Sequence, residues 1–235
     1  MIKKTTPDFS KFEKTSGITF KNKELLRRAF THRSYLNENR GIESSHNERL
    51  EFLGDAVLEL MVTEYLFEKY PDNNEGDLTA YRASLVNAVT LSEAAQKINV
   101  NDFLLLSKGE AKDTGKARQY ILANTMEAII GAIYLDQGYD ASKYFISKNL
   151  FHLIDKIIED KSWIDAKSQF QEKAQEKESL TPLYKSLKEE GPDHDKKFTV
   201  GVYLGDDLIA QGDGMSKQEA EQSAARQALE TKKWL

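Results

Sequence analysis

Residues Asn47 to Leu60, NERLEFLGDAVLEL, set the strongest limit on what this chain can become. Glu48, Glu51 and Asp55 recur at spacings of three and four. On an α-helix they fall at about 0°, 300° and 340°, one shared face. Leu50, Leu53, Val57, Leu60 and Met61 fall between roughly 120° and 220°, predicting an apolar face opposite the acids. Acids gathered this tightly repel one another unless a cation joins them. Mg²⁺ suits converging hard oxygens and keeps waters of its own. The plain alternative is a solvated charged face.

The chain has 235 residues, enough for one large or two small domains with a real core. It has no cysteine, which excludes disulfides and thiolate metal sites. No run approaches the ~20 apolar residues of a membrane span, and MIKKTTPDFSKF lacks a signal-like apolar stretch. The expectation is a soluble, cytoplasmic protein with no membrane partner. A net charge of −5 argues mildly against a generic nucleic-acid binder. A local basic patch can coexist with an acidic whole, however, and a bound cation would offset an acid cluster.

Helical periodicity runs through residues 9 to 157 without strand alternation. Leu78 to Asn87 and Thr90 to Ile98 read as helices, the second capped by Thr90. Residues 107 to 118 form a polar loop with four cations. Tyr120 to Leu135 is a strongly apolar helix, and Asp140 to Ile158 a last amphipathic one. From Trp163 the pattern changes. Ala166 to Glu178 reads as a helix, ended by Thr181-Pro182. Leu183 to Glu189 is a plausible strand. Phe198, Val200, Val202 and Leu204 alternate as a half-buried strand. Asp207 to Gln211 is a third strand, ended by GDG. Ser216 and Glu219 form a capping box for a final helix, whose Ala220, Ala224, Ala225 and Ala228 let it lie close to a sheet. The fold class is therefore two domains: an all-α domain over 9–158, then a small α+β (α-β-β-β-α) domain over 163–235.

Glu127 sits in the middle of the apolar helix, where an unpaired carboxylate is costly. Asn124, three residues earlier, points the same way. A structural ion pair for Glu127 is one reading. A metal site shared with Glu51 and Asp55 is the better one. Phe52, at about 40° on the wheel, lies off the leucine stripe, and an exposed aromatic beside an acid face suggests contact with another subunit. His32, His46, His152 and His194 show no metalloprotease spacing.

NERLEFLGDAVL, PDNNEGDLTAYRASLVN and ILANTMEAIIGAIYLD resemble the nuclease domain of bacterial ribonuclease III. GPDHDKKF and GMSKQEAEQSAARQAL resemble a double-stranded RNA-binding domain, and the domain order matches as well. The resemblance implies a Mg²⁺-dependent, double-strand-specific endoribonuclease acting as a homodimer in RNA processing and decay. Its products would be 5′-phosphate and 3′-hydroxyl ends with short 3′ overhangs. By resemblance, Glu51, Asp55, Asn124 and Glu127 hold the metal, with Glu51, Asp55 and Glu127 catalytic. Glu48 and Glu75 match two further acids of the cleavage valley, and Phe52 matches a residue inserted into the partner subunit. Metal-activated water suits a chain without cysteine. Mn²⁺ is expected to substitute for Mg²⁺.

Two departures qualify the resemblance. Asn124 stands where many relatives carry Asp, which removes a charge but leaves a carbonyl oxygen. The start of the last helix reads Lys217-Gln218 where a Lys-Lys pair is common. RNA duplexes are read by shape across the minor groove. The matching contacts are Ser168, Gln171 and Glu172, then His194, then Ser216 and Lys217. From residue 163 onward, 11 Lys+Arg face 14 Asp+Glu, so modest affinity is expected. Asn124 and the acidic tail are the support for a competing reading, a catalytically weakened double-stranded RNA-binding regulator. A hydrolase of small phosphate esters is a third reading, disfavoured by the RNA-binding tail.

Overall fold

The computed structural model describes residues 7–39, 45–160, 163, 165–191 and 196–234. They fall into two compact units, one up to Trp163 and one from 164 onward.

In the first unit, short polar residues start the helices. Asp8 caps α1 (Phe9–Ser16) and Asn22 caps α2 (Lys23–Ala29). His32 accepts from Ser34 N–H at the start of α3 (Arg33–Glu38). Asn74 caps α5 (Glu75–Val86). Side-chain oxygens of Asp8, Asn22 and Asn74, and the ring Nδ1 of His32, satisfy amides that the first turn leaves unpaired. Thr90 was the expected cap of the next helix, but Asn87 takes that role. Its Oδ1 accepts from Thr90 N at 2.9 Å, and α6 spans Ala88–Lys97. Asn87 also ends α5, so one residue closes one helix and opens the next.

Two long helices form the core: α4 (Glu48–Lys69) and α7 (Lys116–Gln137). Leu50, Val57, Leu58 and Met61 of α4 are buried, as are Met126, Ile129, Ile130 and Ile133 of α7. A Cβ added at Gly54 would overlap the carbonyl oxygen of Glu127, and one at Gly131 would overlap that of Leu50. The two backbones therefore meet through two glycines. The buried side of α4 is not the expected one. Leu60 is 60% exposed, while Gly54 and Leu58 are buried. The seam thus centres at roughly 230° on the wheel, bordering the acids instead of opposing them.

The predicted helix from Asp140 to Ile158 is broken into α8 (Tyr139–Asn149), a 3-10 turn at Phe151–Leu153, and α9 (Ile154–Glu159). Asn149 donates its side-chain amide to Phe145 O at 2.7 Å. Phe151 turns inward to stack on Tyr65, with centroids 3.8 Å apart and planes 5° from parallel. That aromatic contact competes with helix continuation. At the other end of the unit, Phe12 meets Phe30 and Phe103 edge-on, at 4.9 and 5.7 Å.

The second unit runs α10 (Ala166–Glu178), β1 (Leu183–Glu190), β2 (Lys197–Leu204), β3 (Asp207–Gly214) and α11 (Lys217–Lys232). The strands pair antiparallel in the order β1-β2-β3, with a register shift between Ser186 and Lys188. Gly205, at φ +59°, makes the tight turn between β2 and β3. Phe170, Val202, Leu204, Ala224, Ala225, Ala228 and Leu229 form the core. The GDG segment does not end β3 as expected. Gly212 and Gly214 continue the strand, because a Cβ at either would strike the backbone of α11. These glycines allow the alanine face of α11 to lie on the sheet. Among the described residues, no helix is long and apolar enough to cross a membrane.

Candidate functional sites

From Ile121 to Ile133, every residue of α7 is buried except Asn124 and Glu127. An otherwise apolar helix therefore opens one polar window, placed where Gly54 brings α4 against the Glu127 backbone. Glu51 and Asp55 flank that contact three residues before Gly54 and one after it. Glu51, Asp55, Asn124 and Glu127 are thus brought to one seam.

The electrostatics of the seam are those of crowded carboxylates. Burial, then Asp55 and Glu51, push the Glu127 carboxyl up to about 8. Burial and Glu48 raise Glu51, against a hydrogen bond from the Asn124 side chain that lowers it, and Asp55 raises it further. Among the described residues, no salt bridge reaches Glu51, Asp55 or Glu127. Glu51 and Glu127 are half-buried beside the exposed Asp55, so their charge is met by neighbouring carboxylates without a side-chain cation. The donor set is three carboxylates and one amide, all hard oxygens, and this fits Mg²⁺ or Mn²⁺ in chemistry. It is not a closed cage. Among the described residues, no three His, Asp or Glu side chains converge to metal-ligand spacing. In this arrangement the Asn124 amide faces Glu51 as a donor.

The other acids lie differently. Glu48 borders the seam and is held by Arg33 Nη1 at 3.4 Å, with His46 Nδ1 at 3.7 Å, beyond hydrogen-bond length. Glu75 stands at the start of α5, lining a cavity of about 490 Å³ with Thr63, Phe67 and Arg82. Thr63 is eight residues beyond Asp55 on α4, about 12 Å along the axis. The fold of one chain therefore does not bring Glu75 to the Glu51 cluster.

Phe52 is 82% exposed. Two residues share its side of α4: Leu60, expected on the buried face but 60% exposed, and Phe67, not singled out in the sequence and 71% exposed. They fall at about 40°, 120° and 100° on the wheel. Carrying the wheel past Met61 would have revealed Phe67. The pairing of Arg33 with Glu48 had no signal in spacing, because it joins separate helices.

In the second unit, Ser168, Gln171 and Glu172 share one exposed side of α10 with Gln175 and Glu176, around a shallow concavity. The Ser168 hydroxyl donates to Asp165 at 2.8 Å. Ser216 caps α11 by accepting from Glu219 N at 3.2 Å, and Glu219 accepts from Met215 N at 2.9 Å. Lys217, which follows, lies 2.7 Å from Glu189 and 5.7 Å from the centroid of the Phe198 ring. His194 lies outside the described residues.

A ribonuclease-III-like family model matches residues 22–154, and a double-stranded RNA binding motif matches 166–232. Ribonuclease 3 of Bdellovibrio bacteriovorus is 46% identical over 221 residues, covering 94% of each chain. That of Geobacillus kaustophilus is 47% identical over 223 residues, covering 95% of this chain and 90% of the relative. Among solved structures, the nuclease domain of ribonuclease III from Campylobacter jejuni matches 60% of this chain and 98% of its own. It does so at 44% identity and a TM-score of 0.54. An acid-bordered seam of two long helices, a following α-β-β-β-α unit and similarity over nearly the full length agree: the chain belongs to the ribonuclease III family of endoribonucleases.

Proposed function

We propose that this protein is a double-strand-specific endoribonuclease whose divalent cation, Mg²⁺ with Mn²⁺ as a substitute, is held by Glu51, Asp55, Asn124 and Glu127. The observation that carries this reading is the polar window of Asn124 and Glu127 on an otherwise buried helix, facing Glu51 and Asp55. A divalent cation supplies Lewis-acid polarisation of a phosphoryl oxygen and an acidified water.

The side chains do the holding. Glu127, pushed up to about 8, exchanges a proton near neutral pH, so proton and cation compete for the same oxygens. Asn124 donates to Glu51, or with its amide turned presents its carbonyl oxygen to a hard cation. Arg33 holds Glu48 at the border of the seam. The products are 5′-phosphate and 3′-hydroxyl ends with short 3′ overhangs, made during processing and decay of ribosomal and messenger RNA in the cytoplasm.

Domains of 9–158 and 163–235 divide the work between cleavage and RNA binding. Ser168, Gln171 and Glu172 face the minor groove, while Ser216 and Lys217 face phosphate. The working unit is a homodimer, supported by the exposed Phe52, Leu60 and Phe67 on one side of α4. The Campylobacter jejuni nuclease domain is itself described as having a region involved in dimer formation.

The second reading, a weakened RNA-binding regulator, is favoured by one observation: Asn124 presents a donor, not a charge, to Glu51. Labelled duplex RNA incubated with Mg²⁺ or with EDTA separates the two. Cleavage with Mg²⁺ alone supports the enzyme. Retention without cutting in both supports the regulator.

A further inference from the structure

We infer that Glu189 is an internal competitor for RNA phosphate: its carboxylate occupies the anion position formed by Lys217, and the duplex must displace it to bind. The inference rests on the reading of Lys217 as a phosphate contact.

Glu189 lies near the end of β1, opposite Phe198 of β2. Phe198 lies beneath the Lys217 ammonium at the start of α11, so strand end and helix start share one corner of the unit. Two donors and a second, more distant ammonium face the Glu189 carboxylate there. Lys217 Nζ is 2.7 Å from Oε1, Lys196 Nζ is 4.0 Å from Oε2, and the Ser186 hydroxyl donates to Oε1 at 3.4 Å. Lys217 and Lys196 hold the Glu189 carboxyl below its ordinary range. Two ammonium groups and a hydroxyl around one anion are the donors a phosphate oxygen would take. They lie beside the N-terminus of α11, where the helix dipole favours negative charge. An anion site is built at this corner, and the chain's own carboxylate fills it.

Displacement has two consequences. The ion pair is largely exposed, so parting it costs little. The freed carboxylate then stays within a Debye length of the duplex, roughly 8 Å at physiological salt, and repels it. It also takes up a counterion as the RNA releases one, which flattens the dependence of affinity on salt. Ser168 is engaged in a similar way on α10, through Asp165. Glu189 differs because its partner is the cation meant for phosphate.

The test uses the full chain in EDTA, with a labelled RNA duplex longer than the ~16 bp one such domain spans. Kd is measured across a salt series for the unaltered protein, Glu189→Gln, Lys217→Ala, the double variant and Glu190→Gln. Glu190 is the adjacent acid, paired instead with Lys188 at 2.7 Å.

Glu189→Gln is expected to tighten binding about three- to tenfold and to steepen the log–log slope by up to about one contact. Neither change should occur in the Lys217→Ala background, and Glu190→Gln should stay within about twofold. Weakening by Lys217→Ala with no change in Glu189→Gln would overturn the inference and leave the phosphate contact standing. An unchanged Lys217→Ala would overturn that contact and the inference with it. Equal tightening by Glu190→Gln would mark a general charge effect and also overturn it.

Discussion

Asn124 accepts two descriptions that a single substitution separates. Its amide now donates to Glu51, relieving part of the repulsion among the seam carboxylates. Asn124→Asp removes that donor and adds a charge. In EDTA the Asp variant should melt at a lower temperature, because a further carboxylate joins Glu51, Asp55 and Glu127. With Mg²⁺ the order should reverse, since added ligand charge strengthens cation binding. The half-saturating Mg²⁺ for cleavage should fall several-fold. Equal Mg²⁺ dependence in the two proteins would remove Asn124 from the ligand set. The carboxylates themselves were legible in the sequence, because spacings of three and four fix a helix face. Arg33 beside Glu48 was not, because that pairing joins helices separated by residues 39 to 47 and depends on how they pack.

At the scale of helices and strands, two glycine contacts decide geometry that composition hides. The apolar stripe of α4 was visible, but its centre was misplaced towards Leu60. What draws α4 round is Gly54, which lets the Glu127 backbone approach and so turns the acids to the edge of the seam. In the second unit the same physics made GDG look like a strand terminator, when Gly212 and Gly214 are where α11 rests on β3. A lone glycine in a sequence does not say whether it breaks an element or receives a neighbour. Alternation in β2 and the capping box at Ser216 were readable because both are local. The break after Asn149 was not, since it depends on Phe151 reaching Tyr65 from distant sequence.

Gly54→Ala tests the seam. The added methyl collides with backbone, not with a side chain that can swing away. We expect a loss of about 1–3 kcal/mol or more, which is roughly 2–10 °C in melting temperature for a unit of this size. Cleavage should fall at least tenfold in the protein that remains folded. Leu66→Ala, a buried site farther along α4, should lower the melting temperature while leaving the Mg²⁺ requirement unchanged. Circular dichroism melts and Mg²⁺ titrations of both variants check this. An unaltered melt and rate in Gly54→Ala would show that the helices can part without consequence.

For the whole molecule, one chain supplies one acid seam, and a duplex has two strands. The exposed Phe52, Leu60 and Phe67 give α4 an apolar side with no partner among the described residues of the chain. A second copy would cover it. Phe52→Ala should shift the protein towards monomer at micromolar concentration by light scattering and lower its cleavage rate, with duplex binding by the second unit retained. A monomeric unaltered protein at that concentration would contradict the homodimer.

We place RNA cleavage at the α4–α7 seam. Single-turnover cleavage of labelled duplex by Glu127→Gln at saturating Mg²⁺, alongside its duplex affinity in EDTA, tests this most directly. The substitution keeps the shape and removes the charge that burial and two neighbouring acids already strain. The account predicts no detectable cleavage, with Kd within about threefold of the unaltered protein, because the RNA-binding unit is untouched. Cleavage at the original rate would contradict the account, and loss of cleavage and binding together would make Glu127 a structural residue.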